Sequence, residues 1–153
     1  MKMTKQLNLE NFFPYQLAKL QAMVSNTVAD IYMGEFNLSK QEWRVLAILA
    51  NQKPMNAKEI GDKADLEKMP ASRAIKKMIE RALLEKIENT NDKRSSLLTL
   101  SEGGKSLYQK LAPLVKIREN ELLSVLSRQE LTTINCAFEK LQEQAKQIIK
   151  QTQ

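Results

Sequence analysis

The sequence has no histidine and a single cysteine, Cys136, among 153 residues. Without histidine, the commonest general base and metal ligand near neutral pH is missing. One thiol cannot build a zinc site alone. It also excludes an intramolecular disulfide, so a reducing, cytoplasmic setting is expected. Glycine and proline occur four times each, too few for a loop-rich or all-β fold. There is no G-x-x-x-x-G-K-[ST] or G-x-G-x-x-G stretch to cradle phosphates. No apolar run approaches the ~20 residues of a membrane span. None follows Lys2 and Lys5 as a signal peptide would require. Glu80, Glu85 and Glu88 lie at charged, solvated positions rather than in paired acid–base settings. These absences argue against an enzyme, a cofactor, a metal centre and a membrane partner.

What is present is ordinary for a soluble protein: 42% hydrophobic and 27% charged residues. At this length a single domain, residues 1–153, can bury ~68–70% of its unfolded surface. The formal net charge is +6 and the sequence pI about 9.4, a balance that suits a polyanionic partner.

The chain reads as mainly α-helical. Phe13, Leu17, Leu20, Val24, Val28 and Ile31 form a helical stripe over about 11–34, with Gly34 as a stop. A second helix covers 38–51. Ser39 with Glu42 reads as its capping box, and Trp43, Leu46, Ala47, Leu49 and Ala50 as its apolar side. Asn56 with Glu59 opens a short third helix ending near Lys63 or Ala64. The turn Asp65-Leu66 leads into a fourth. Further on, Ser101 caps a fifth helix with apolar positions Leu107, Leu111, Leu114, Leu122 and Val125. Pro113 within it should kink or break it. Ser127 with Glu130 opens the last helix, where Leu131, Ile134, Phe138, Leu141, Ala145 and Ile148 recur at near-heptad spacing. Cys136 on this helix is expected as a buried, inert thiol.

The informative stretch is 65–104. Ala71, Ala74, Ile75, Met78, Ile79 and Ala82 gather on one side of the fourth helix, and Arg73, Lys76, Lys77 and Glu80 on the other. Pro70 is tolerated only in the first turn, so the helix starts near Glu67 or Lys68. Between Lys68 and Arg81 five Lys/Arg face one acid. An exposed basic side suits phosphates and base edges in a major groove; it also suits plain solvation. The wider stretch 58–94 nets only +2, so placement rather than total charge carries this reading. A hairpin follows. Leu83 to Glu88 and Leu97 to Leu100 are its strands, and Asn89-Thr90-Asn91-Asp92 has turn chemistry. Asp92, Lys93 and Arg94 lie at its tip. Such a tip fits a narrow, negative minor groove, with the acid holding the guanidinium in one pose.

These residues resemble a known family. Asp92-Lys93-Arg94-Ser95, then Leu98, Leu100-Ser101 and Gly104, look like the wing pattern D-x-R-[AS], hydrophobic, L-[TS]-x-x-G of the MarR family of winged helix-turn-helix regulators. Leu38-Ser39, Gln41 and Trp43-Arg44-Val45-Leu46 resemble that family's second helix. Ala82 stands where the family usually has glycine, and Ser101 where threonine is commoner. The resemblance spans roughly Phe12 to the C-terminus.

It implies a mainly α fold: a winged helix-turn-helix over 39–101 with a two-stranded wing, plus N- and C-terminal helices, 11–34 and 105–150, forming a dimerisation region. It also implies a homodimeric, sequence-specific regulator, a repressor on family grounds, acting on a pseudo-palindromic site in double-stranded DNA. Arg73 would read a base, and Ser72, Lys76 and Lys77 would hold the register, with Lys68 and Pro70 at the upstream end. Arg94 would enter the minor groove, oriented by Asp92, while Lys93 meets phosphate. A small aromatic or anionic effector would sit between the paired helices and the winged unit, with Phe12, Tyr15 and Trp43 as candidate pocket residues. Two other readings stay open: a winged-helix protein-interaction module, and a thiol-based redox sensor through Cys136.

Overall fold

The computed structural model describes residues 6–88 and 96–153. After a short 3-10 turn, Leu9–Asn11, come helices α1 (Phe13–Met33), α2 (Lys40–Ala50), α3 (Ala57–Ala64) and α4 (Lys68–Glu80). Strands β1 (Leu84–Glu88) and β2 (Ser96–Leu100) follow, then α5 (Glu102–Leu123) and α6 (Arg128–Thr152). The chain divides into two compact units, Met1–Lys116 and Ile117–Gln153.

The first unit holds the core. Val45, Leu46, Ile60, Met78 and Leu111 are fully enclosed, drawing α2, α3, α4 and α5 around one apolar centre. Tyr32 stacks on Trp43 at 5.9 Å with ring planes 10° apart, joining the end of α1 to α2. Burial pushes the Tyr32 phenol above its ordinary value; the nearby Arg44 charge and a hydrogen bond with Ser25 pull the other way without winning. The strands pair antiparallel, Leu84 with Leu100 through Glu88 with Ser96. Met55 adds a bridge to Leu98, so the short connection before α3 also joins the sheet. In the second unit, α6 carries no buried residue.

Helix ends follow their capping residues. The Ser39 hydroxyl accepts from the Glu42 amide at 3.1 Å, and Asn56 Oδ1 accepts from the Glu59 amide at 2.9 Å. Only Ser127 and Glu130 complete the reciprocal box. At α2 the Glu42 carboxylate turns instead to Arg81. Ser101 has two partners: its hydroxyl accepts from the Gly104 amide at 3.0 Å and donates to the Ala82 carbonyl at 2.6 Å. A Cβ on Gly104 would run into the Leu83 carbonyl, which is why glycine stands there.

Three expectations are corrected and one is narrowed: helix α5 runs on through Pro113, so the proline does not break it. It ends at Leu123, leaving Val125 exposed in the following turn rather than on an apolar helix side. Ala82 lies beyond α4 in the left-handed region, φ 57°, and is exposed. Cys136 is exposed, because the chain gives α6 no side that is fully covered.

Candidate nucleic-acid interface

Helices α3 and α4 meet through a tight turn. Asp65 takes a left-handed conformation, φ 54°, which Asp tolerates better than most residues. The Leu66 amide then bonds back to the Gly61 carbonyl at 2.8 Å. Gly61 is needed for closeness: a Cβ there would lie 3.3 Å from the Leu66 carbonyl oxygen and 3.5 Å from the Ala71 Cβ. Small residues on both helices thus set the approach of α4 to α3.

The inner side of α4 is buried through Ala71, Ala74, Ile75 and Met78. Lys68, Ser72, Arg73, Lys76 and Lys77 are exposed on the other side, with Pro70 half-buried at the third helical position. Pro70 removes no intrahelical bond there, because first-turn amides lack such partners anyway. Glu67 precedes the helix in extended conformation and its side chain makes no capping bond.

Between α3, α4 and the sheet lies an open recess of about 610 Å³, floored by Ile75, Ile79 and Leu98, with Lys58, Lys76 and Lys86 around it. Lys58 and Lys86 were not singled out in the sequence. Their place beside the basic helix comes from the α3–α4 turn and the hairpin register, which no local motif encodes. Asp92, Lys93 and Arg94 fall outside the described residues.

Arg81, counted above with the basic helix, is held elsewhere. Its guanidinium donates to the Asn37 carbonyl at 2.7 Å, the Phe36 carbonyl at 3.2 Å and the Glu42 carboxylate at 3.3 Å. The sequence held a signal for this. Ala74, Met78 and Arg81 are spaced four and three apart, which places Arg81 on the buried side. Glu42, Val45, Leu46 and Leu49 likewise share the inner side of α2, where Glu42 is only 4% exposed.

The three candidate pocket residues do not share one environment. Trp43 is half-buried against the core and stacked on Tyr32. Phe12 and Tyr15 are exposed, and Tyr15 lines a surface recess of about 480 Å³ with Glu10, Lys19 and Met23. Among the described residues no cluster of His, Cys, Asp or Glu could hold a metal ion. No helix among them is long and apolar enough to cross a membrane.

An exposed basic helix, seated on a helix-turn-helix and followed by an antiparallel hairpin, defines a winged helix-turn-helix DNA-binding regulator. Residues 38–96 match the sequence model of the MarR family. The transcriptional regulator FarR of Neisseria gonorrhoeae is 22% identical over 99 residues, which cover 65% of this chain and 68% of that one. A crystal structure of a MarR/EmrR family regulator from Acinetobacter sp. ADP1 superposes with a TM-score of 0.83 at 25% identity, over 92% of this chain and 99% of the other. NadR, crystallised with 4-hydroxyphenylacetate, shares the fold with a TM-score of 0.74 at 18% identity, over 92% and 97% of the two chains.

Proposed function

We propose that the protein is a homodimeric repressor that binds a pseudo-palindromic operator in double-stranded DNA. The observation that carries this reading is the division of α4: alanines and apolar side chains buried inward, Lys68, Ser72, Arg73, Lys76 and Lys77 exposed outward. Arg73 is the base reader, because a guanidinium can bond bidentately to guanine. Ser72, Lys76 and Lys77 hold the register through phosphate or nearby edges. Lys68 and Pro70 flank them at the upstream end. Arg94, oriented by Asp92, enters the adjacent minor groove, and Lys93 meets phosphate.

Pairing of two copies is supported by the uncovered apolar residues of the terminal helices, among them Phe13, Leu17 and Leu20 on α1 and Phe138, Leu141 and Ile148 on α6, each more than 40% exposed in the single chain. Two copies place the reading helices in successive major grooves, ~34–36 Å apart. Release by a small aromatic acid is supported by analogy with NadR, whose crystal structure holds 4-hydroxyphenylacetate. A ligand favouring the wrong spacing would lower DNA affinity by its differential affinity for that state. Phe12, Tyr15 and Trp43 are the candidates for its contacts.

The test is selection of bound sequences from random duplexes by purified protein at near-physiological salt. An inverted repeat should be enriched. In the same assay Arg73→Ala should cost ~1–3 kcal/mol and relax preference at one position. Salt-sensitive binding with no enriched sequence would reduce the protein to a basic surface. Absence of binding would favour a protein-interaction module.

A further inference from the structure

Among the described residues, Arg81 is the one basic residue of the 68–81 stretch whose side chain has three acceptors from elsewhere in the chain. They come from two places: the connection between α1 and α2, through the Phe36 and Asn37 carbonyls, and the first turn of α2, through Glu42. The Glu42 side chain is 5% exposed and that of Arg81 35%. A carboxylate so enclosed needs a partner, because an unpaired charge in a low-dielectric site is strongly disfavoured. The guanidinium reaches these acceptors with two separate nitrogens, Nη1 for Asn37 and Glu42 and Nη2 for Phe36, a fixed fork that the single nitrogen of a lysine does not reproduce.

The corner is built to receive it. Asn37 holds a left-handed conformation, φ 50°, and the Leu38 amide bonds back to the Tyr32 carbonyl at 2.8 Å. At the other side of the clasp, the C-terminus of α4 closes with the Leu83 amide on the Met78 carbonyl and the Ala82 amide on the Ile79 carbonyl, both at 2.9 Å. Arg81 therefore ties the end of the reading helix to the end of α1 and the start of α2.

We propose that Arg81 is a positioning residue for DNA recognition: with Glu42 it fixes α4 against the α1–α2 corner and does not itself contact the duplex. The proposal rests on the assignment of α4 as the reading helix. Its consequence is that Glu42, an enclosed acid, matters to DNA selectivity as much as the arginine.

The test compares wild type, Arg81→Ala, Arg81→Lys, Glu42→Gln and the double variant Arg81→Ala/Glu42→Gln on the selected duplex and on an unrelated one, across a range of salt. Arg81→Ala and Glu42→Gln should each weaken specific binding about tenfold or more, and the double variant hardly further, because coupled residues are not additive. Arg81→Lys keeps the charge and should still lose specific affinity. Binding to the unrelated duplex and the salt slope should stay as in wild type. A slope lower by about one, with all sequences weakened alike, would make Arg81 a phosphate contact and overturn the proposal. So would wild-type affinity in Glu42→Gln or Arg81→Lys.

Amide exchange of the free protein gives a readout without DNA. Exchange at Leu38 and Leu83 should quicken in Arg81→Lys, a variant that keeps the charge and most of the side chain; unchanged exchange at both would dispose of the clasp. If wild type selects no duplex, the reading of α4 has failed, and the exchange result alone decides whether the clasp exists.

Discussion

Helices α4 and α6 carry the same kind of pattern and meet different fates. On α4, Ala71, Ala74, Ile75 and Met78 are all buried. On α6, Leu131, Ile134, Phe138, Leu141 and Ile148 repeat as regularly, and none is buried. The period of an amphipathic helix says that one side will be covered; it does not say by what. For α4 the cover comes from α2 and α3, a few turns away in sequence, and small alanines permit their approach. For α6 no cover comes from within the chain; the pairing of two copies proposed above would supply it.

The strongest way to break this contrast is to treat a residue of each kind alike. Leu46→Ala, within the core of the winged unit, should cost about 2–5 kcal/mol of folding stability. A urea melt would read it, and a loss below 1 kcal/mol would mean that the site collapses around the gap. Phe138→Glu should act on assembly instead. It removes an apolar contact of roughly 1.5–3 kcal/mol and places a charge in the pairing surface, so association should weaken about tenfold or more. Sedimentation equilibrium would read this, and unchanged assembly would end the idea that α6 is covered by a second copy.

Ala82→Gly sharpens the local end of the comparison. Ala82 follows the C-cap of α4, Arg81, at φ 57°, where a side chain is strained and glycine is not. The change should stabilise by about 0.5–1 kcal/mol, the relief of strain exceeding the entropy that glycine gains when unfolded. A lower melting midpoint would contradict that account. The smallest effect concerns Tyr32. Its phenol is raised above the ordinary value, chiefly by burial, against the opposing pull of Arg44 and Ser25. The folded state thus binds the phenolic proton more tightly than the unfolded one. Its contribution is complete below pH ~10, the unfolded value, and fades as pH rises through the higher folded value. Tyr32→Phe should flatten the loss of stability above pH 10, as followed by alkaline titration of the denaturation midpoint. An identical pH profile in the variant would rule out Tyr32 as the source.

Much of this architecture was legible in the sequence, for a physical reason. Capping residues, the Asp65-Leu66 turn, the strand alternation and Gly104 act within a few residues of themselves, so each leaves a local mark. The exposed basic side of α4 was legible because its counterpart, the alanine side, is periodic. Arg81 was misplaced because its acceptors lie 39 to 45 residues away. A count of basic residues treats it as one more cation, and only its register with Ala74 and Met78 gives it away. Glu42 shows in the sequence only as a partner of the Ser39 cap for the same reason: the cap is local and the ion pair with Arg81 is not. Pro113 was over-read. Proline removes one bond, and the bonds on either side suffice to continue a helix of 22 residues without a break. Cys136 was expected in a core that the single chain does not provide.

The bridge between Met55 and Leu98 has a consequence for how the protein behaves when crowded. At Leu98 the inner strand of the wing has a neighbour on both sides, β1 and Met55. The outward backbone of β1 runs past Glu85, Lys86 and Glu88, all exposed. Open strand edges invite sheet-to-sheet aggregation, and charged side chains discourage it. A second copy of β1 paired antiparallel about its own middle would set Lys86 against Lys86, a like-charge pair that destabilises such a ladder. The exposed edge of the sheet is therefore a poor template for fibres, although its backbone faces solvent.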